Sequence, residues 1–201
     1  MIAIIDYGMG NLRSVSKALE YLGTSYKLCP RGKDLARATK VILPGVGAFG
    51  DAMTELKSRG FISAIGGLVT RKIKLMGVCL GLQLFFEKSA ENPGVAGLGI
   101  FKGTVRKFRS QNVKIPHMGW NDLKVLKKHP LLEGIPSGEY FYFVHSYYGK
   151  PEAKSLTLAS CKYGQEDFPA VIGSKHVFAT QFHPEKSQEA GLRILKNFIQ
   201  W

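Results

Sequence analysis

In the first 90 positions, short apolar runs alternate with stretches of helical spacing, and this alternation limits the fold more than any other feature of the chain. Ile2 to Ile5, Ser25 to Leu28, Val41 to Leu43 and Leu75 to Val78 read as buried strands. Asn11 can cap a helix with apolar positions Leu12, Val15, Ala18, Leu19 and Leu22, which Gly23 ends. Leu35 to Ala38 reads as a short helix. Asp51 to Ser58 and Phe61 to Arg71 read as two more, divided by Gly60. Strands joined through helices require right-handed crossovers and a parallel sheet covered on both faces. Ligands of such sheets gather at the carboxyl ends of the strands.

Two loops lie at that edge. Pro44-Gly45-Val46-Gly47 stops the third strand and is rich in unhindered backbone N–H groups. In Lys74 to Glu87, Gly77 and Gly81 bracket Cys79, and helical spacing continues through Leu82, Phe85 and Phe86. Flanking glycines let a backbone turn sharply and present a side chain above the sheet. A thiol there meets the positive end of a helix, which favours the reactive thiolate. Two readings stand at this point: an inert buried cysteine and a nucleophile. Gly8 and Gly10, after the first strand, lack the third glycine of a dinucleotide-binding turn.

After Asn92 the long helical patterns stop. Thr104 to Phe108, Asn121 to Leu126, Tyr140 to Tyr148, Leu156 to Cys161 and Ala170 to Gly173 read as strands, added antiparallel to the sheet. Pro116 to Asn121 reads as a loop, exposed in part. Val177 to Phe182 is a further strand, and Ala190 to Trp201 an amphipathic closing helix. His183 and Glu185 follow the last strand and, in extended backbone, point to one side. A carboxylate beside an imidazole orients it and stabilises its charged form, and such a base beside a cysteine is the general triad arrangement. His117, His129 and His176 read as structural or surface residues, and His145 as a turn residue.

Composition bounds the remaining classes. The 201 residues suit one domain, 1–201. No apolar run reaches the ~20 residues of a membrane span, and the N-terminus is not a signal peptide. Cys29, Cys79 and Cys161 are widely spaced, which points to free thiols in a reducing cytoplasm. The net charge of +13 comes from scattered lysines without a nucleic-acid-binding module and reads as a solvated surface.

GVCLGLQ, HPEKS and PGVGAFG resemble the signatures of class I glutamine amidotransferases. PHMGWN, FVHSYY and DYGMGNLRSV narrow the resemblance to the glutaminase subunits of imidazole glycerol phosphate synthases, from first strand to last helix. Leu82 stands where many relatives carry methionine, a volume-conserving change. The resemblance implies a flavodoxin-like α/β fold, with a mainly parallel central sheet and added antiparallel strands. It implies that Cys79, His183 and Glu185 hydrolyse glutamine. Val46 and Leu80 would supply oxyanion N–H groups. Gly47, Gln83, His145, Ser146 and Tyr147 would hold the substrate. Asn11, Pro116, Met118, Trp120, Asn121 and Lys186 would meet a (β/α)8-barrel synthase subunit that consumes the ammonia in histidine biosynthesis. No metal, organic cofactor, nucleic acid or membrane is implied. A paralogous synthase acting on another acceptor, such as a sugar, is the alternative partner. A non-catalytic binding protein on the same fold is the remaining rival, and the triad argues against it.

Overall fold

A computed structural model describes residues 1–109 and 113–201 of the chain. The first part runs β1 (Ile2–Ile5), α1 (Leu12–Tyr21), β2 (Tyr26–Cys29), β3 (Lys40–Leu43), α2 (Phe49–Ser58), α3 (Phe61–Thr70), β4 (Lys74–Val78) and α4 (Leu80–Leu84). Then come β5 (Phe86–Ser89), β6 (Phe101–Lys107), β7 (His117–Val125), β8 (Glu139–His145), β9 (Tyr147–Pro151), β10 (Thr157–Tyr163), β11 (Glu166–Gly173), β12 (Val177–Thr180) and α5 (Gln188–Gln200).

Nine strands form one sheet in the order β2-β1-β3-β4-β12-β11-β10-β7-β8. The first five are parallel and the next four join antiparallel, so the sheet is parallel in one half only. Counted alone, the parallel strands follow the doubly wound order 2-1-3-4-5. The alternation of side chains divides the core between the sheet faces. Ile2, Ile4, Ile42 and Met76 pack with α1 and α5, while Ala3, Ile5, Val41 and Leu75 pack with α2 and α3. Asn11 caps α1, its side-chain oxygen accepting the Ser14 N–H at 3.3 Å.

Four expectations need correction. The helix after Cys79 ends at Leu84, because the carbonyls of residues 84–87 accept N–H groups from 97–101 rather than from a further helical turn. Phe86–Ser89 leaves instead as β5, which with β6 and β9 makes a second, three-stranded sheet. The expected loop at 116–121 is a strand from His117 onward, paired with β8 from His117↔His145 to Leu123↔Glu139. Pro116 precedes that strand, where its missing N–H costs no ladder bond. The run Tyr140 to Tyr148 is two strands, which part at Ser146 into different sheets. Gly32–Leu35 is a 3-10 turn in place of the helix expected over 35–38.

Candidate active site

Cys79 joins β4 to α4 with φ +54° and ψ −106°, a left-handed conformation that a non-glycine residue holds only under constraint. Two close approaches impose it. A methyl group on Gly81 would stand 2.0 Å from the Leu43 carbonyl oxygen, and one on Gly77 would stand 2.6 Å from the Phe85 ring. The Cys79 N–H is anchored to the Thr180 carbonyl at 2.8 Å, which ties the turn to β12. Cys79 is buried, with 6% of the residue exposed.

β12 ends at Thr180, and Pro184–Lys186 forms a 3-10 turn. His183 and Glu185 therefore meet across that turn and not along an extended strand, with Nδ1 and Oε1 2.8 Å apart. Both side chains are buried, at 2% and 1% exposure. The turn is stitched to β8. The His183 N–H donates to the Tyr142 carbonyl at 3.0 Å, and Ser187 Oγ accepts the Tyr142 N–H at 3.0 Å. His183 Nε2 has no partner of hydrogen-bonding geometry among the described residues, yet it lies close enough to the thiol for their charges to couple. Burial alone would lower the His183 pKa. The Cys79 thiolate and the Glu185 carboxylate outweigh it and raise the value to about 10. The surroundings of His183 thus favour a charged imidazolium facing the Cys79 thiol.

Around the thiol lies a cleft of about 370 Å³, whose walls include Val46, Gly47, Leu80, Gln83, His145, Ser146 and Tyr147. Pro116, expected at a partner surface, lines the cleft as well. His145, read from sequence as a turn residue, is the buried last residue of β8, and its Nδ1 lies 2.9 Å from the Tyr147 carbonyl. Burial pushes its pKa down to about 3. Gln83 Nε2 donates to the same carbonyl at 2.9 Å and to Gln181 Oε1 at 3.3 Å.

Three residues near the thiol escaped sequence reasoning. Gln181 is fully buried, and its amide nitrogen reaches Cys79 Sγ at 3.8 Å. It lay inside a run read as a strand, although its adjacency to the HPEKS motif was a usable signal. Glu91 lines the cleft and accepts the Phe49 N–H at 2.8 Å, a contact across 42 residues that no local pattern marks. The Tyr7 hydroxyl is buried without a partner among the described residues, beside Gly45, where an added methyl would stand 2.6 Å from it. Burial, and then the charge of Cys79, push that phenol's pKa up.

The remaining expected residues lie outside the cleft. Met118 and Trp120, 63% and 46% exposed, share the outer face of β7. Trp120 meets the Tyr142 ring edge-on at 6.1 Å, and Lys186 Nζ lies 5.8 Å from that ring. Asn121 faces the other way, bonded to His117 and to the Lys162 carbonyl. Among the described residues, no group of three or more His, Cys, Asp or Glu side chains is placed to hold a metal. No helix there is long and apolar enough to cross a membrane.

The family profile described as glutamine amidotransferase class-I matches residues 3–201. The chain belongs to this family. The amidotransferase is 49% identical over 202 residues to "Imidazole glycerol phosphate synthase subunit HisH 1" of Campylobacter jejuni (strain RM1221), with both chains fully covered. It is 51% identical to "Imidazole glycerol phosphate synthase subunit HisH" of Caldanaerobacter subterraneus subsp. tengcongensis, covering 98% of this chain and 97% of the other. Among solved structures, a crystal structure of a glutamine amidotransferase superposes with TM-score 0.78 at 20% identity, over 99% of this chain and 97% of that one. That likeness concerns the fold, and the expected class I amidotransferase architecture is the observed one.

Proposed function

We propose that the 201 residues act as one cytoplasmic glutaminase domain, the HisH-type subunit of an imidazole glycerol phosphate synthase in histidine biosynthesis. The convergence of Cys79, His183 and Glu185 at the strand ends carries this reading, and the full-length relatives support the pathway. The Cys79 thiolate attacks the side-chain amide carbon of glutamine. The carbonyl oxygen becomes an oxyanion, received by the N–H groups of Leu80 and Val46. The His183 imidazolium gives its proton to the departing nitrogen, which leaves as ammonia, and a glutamyl thioester remains. His183, now neutral, takes a proton from water, and the resulting hydroxide displaces the thiolate and releases glutamate. Glu185 orients the ring and stabilises its charged form.

Gly47, Gln83 and the 145–147 backbone hold the substrate. Glu91, the only carboxylate among the described residues lining the cleft, faces its α-ammonium group. Ammonia passes to a (β/α)8-barrel partner subunit, which uses it to form imidazole glycerol phosphate and an aminoimidazole carboxamide ribotide. The partner docks on the face carrying Met118, Trp120 and Lys186, and Asn11, Pro116 and Asn121 are assigned to the same interface by the family resemblance alone. Contact there reaches the base through Tyr142, whose backbone holds the 183–187 turn. The three free, buried cysteines suit a reducing compartment.

The test is Cys79→Ala in the complex. Glutamine hydrolysis falls by several orders of magnitude, while synthesis from added ammonium salts survives. Hydrolysis at near wild-type rate in that variant overturns the assignment.

A further inference from the structure

A line of hydrogen bonds runs from β7 into the wall of the cleft, and its chemistry admits one arrangement of protons. The Tyr147 carbonyl can only accept, so His145 Nδ1, 2.9 Å away, carries a hydrogen. His145 is buried and held neutral, which leaves its Nε2 a bare acceptor. His117 Nδ1 lies 3.0 Å from it and must donate. His117 is also buried and neutral, its pKa pushed down to about 4 by burial, so its own Nε2 accepts from Asn121 Nδ2 at 3.2 Å. The second hydrogen of that amide goes to the Lys162 carbonyl at 2.9 Å.

Packing does not account for the pair. His117 is stacked between Tyr163 at 4.0 Å and Phe143 at 4.8 Å, a slot that an apolar ring fills equally well. What an apolar ring cannot do is donate to His145. The segment beyond needs such support, because β8 and β9 part at Ser146 into different sheets and no single ladder spans residues 145–147. The Tyr147 carbonyl is where the histidine line meets the polar network of the cleft, since it also accepts from Gln83, whose amide bonds to Gln181.

We propose that His117 is a positioning residue for glutamine: by donating to His145 it sets the Tyr147 peptide and with it the 146–147 wall of the substrate cleft. The proposal rests on the glutaminase reading above. Its action runs through His145, and it touches no reacting atom.

Two variants in the reconstituted synthase complex separate hydrogen bonding from packing. His117→Phe keeps the stack and loses the donor, leaving a buried acceptor unpaired. His117→Asn loses the stack, but its amide nitrogen stands where Nδ1 stood and can still donate. With the donor lost, KM for glutamine rises about tenfold or more in the Phe variant while kcat stays near wild type, and the unpaired acceptor lowers the melting temperature by a few degrees. The Asn variant melts lower and keeps KM within about threefold of wild type. Inactivation by 6-diazo-5-oxo-L-norleucine, a glutamine analogue that alkylates the nucleophile, follows suit, with KI rising for Phe and the limiting rate unchanged. A Phe variant with normal KM, or an Asn variant with the larger KM defect, overturns the proposal while wild-type hydrolysis stands. A wild-type complex that hydrolyses no glutamine overturns the glutaminase reading itself.

Discussion

Gly81→Ala tests the claim that the nucleophile is presented by close backbone contact. The added methyl would stand 2.0 Å from the Leu43 carbonyl oxygen and 3.1 Å from the carbonyl carbon, where ordinary contact begins at 3.4 Å. The first gap must open by about 1.4 Å, and neither side is a flexible side chain. β3 lies between β1 and β4 and cannot shift without breaking two ladders, so the start of α4 has to tilt. That tilt moves Cys79 and the Leu80 N–H relative to the 44–47 loop. A misplacement of about 1 Å costs roughly a hundredfold in rate. Overpacking costs about 1–3 kcal/mol, or roughly 2–12 °C in melting temperature for a chain of this length.

The assay pairs glutamine hydrolysis in the complex with thermal melts of the subunit. Gly66→Ala is the control. Gly66 is exposed in α3 with open space around its added methyl, so that change stabilises by about 0.4–1 kcal/mol and leaves activity alone. If Gly81→Ala hydrolyses glutamine within about threefold of wild type, the elbow is not held by this contact and the reasoning fails.

Replacing His183 lowers hydrolysis nearly as far as losing Cys79, whereas Glu185→Gln costs less, because it removes orientation and charge stabilisation but not the proton carrier; the reverse order in steady-state assays refutes these roles. Trp120→Ala weakens the partner complex by about 2 kcal/mol or more and leaves the free subunit's melting temperature unchanged, since the ring is 46% exposed; titration with the partner and parallel melts check both halves. Stability also falls with acid. His117 and His145 have folded pKa values of about 4 and 3, below the ordinary 6.5, so their contribution is complete above pH 6.5 and is lost as pH drops through 4 toward 3. The raised value of His183 acts in the opposite window, lost as pH climbs toward 10, so it does not mask the acid effect. His117→Phe flattens the acid slope by up to about one proton in pH-dependent melts, and unchanged slopes refute the neutral pair.

The residues themselves determined the parallel half of the fold and the chemistry. Ile2–Ile5, Val41–Leu43 and the helices after them carry their periodicity locally, and a strand buried on both faces needs no distant residue to be recognised. Cys79 between two close-packed glycines, and His183 two residues before Glu185, are local patterns too. Tertiary structure decided where local preference and long-range pairing disagree. Leu82, Phe85 and Phe86 have helical spacing, yet the carbonyls there are taken by residues 97–101 and the chain becomes β5. Pro116 and Gly119 signal a loop, yet pairing with β8 makes a strand and turns Trp120 outward and His117 inward. The His117–His145 bond spans 28 residues, the Phe49–Glu91 bond 42 and the Gln181–Cys79 contact 102. Buried polar groups must find partners wherever the fold brings them, and those partners are set by sheet topology and not by spacing along the chain.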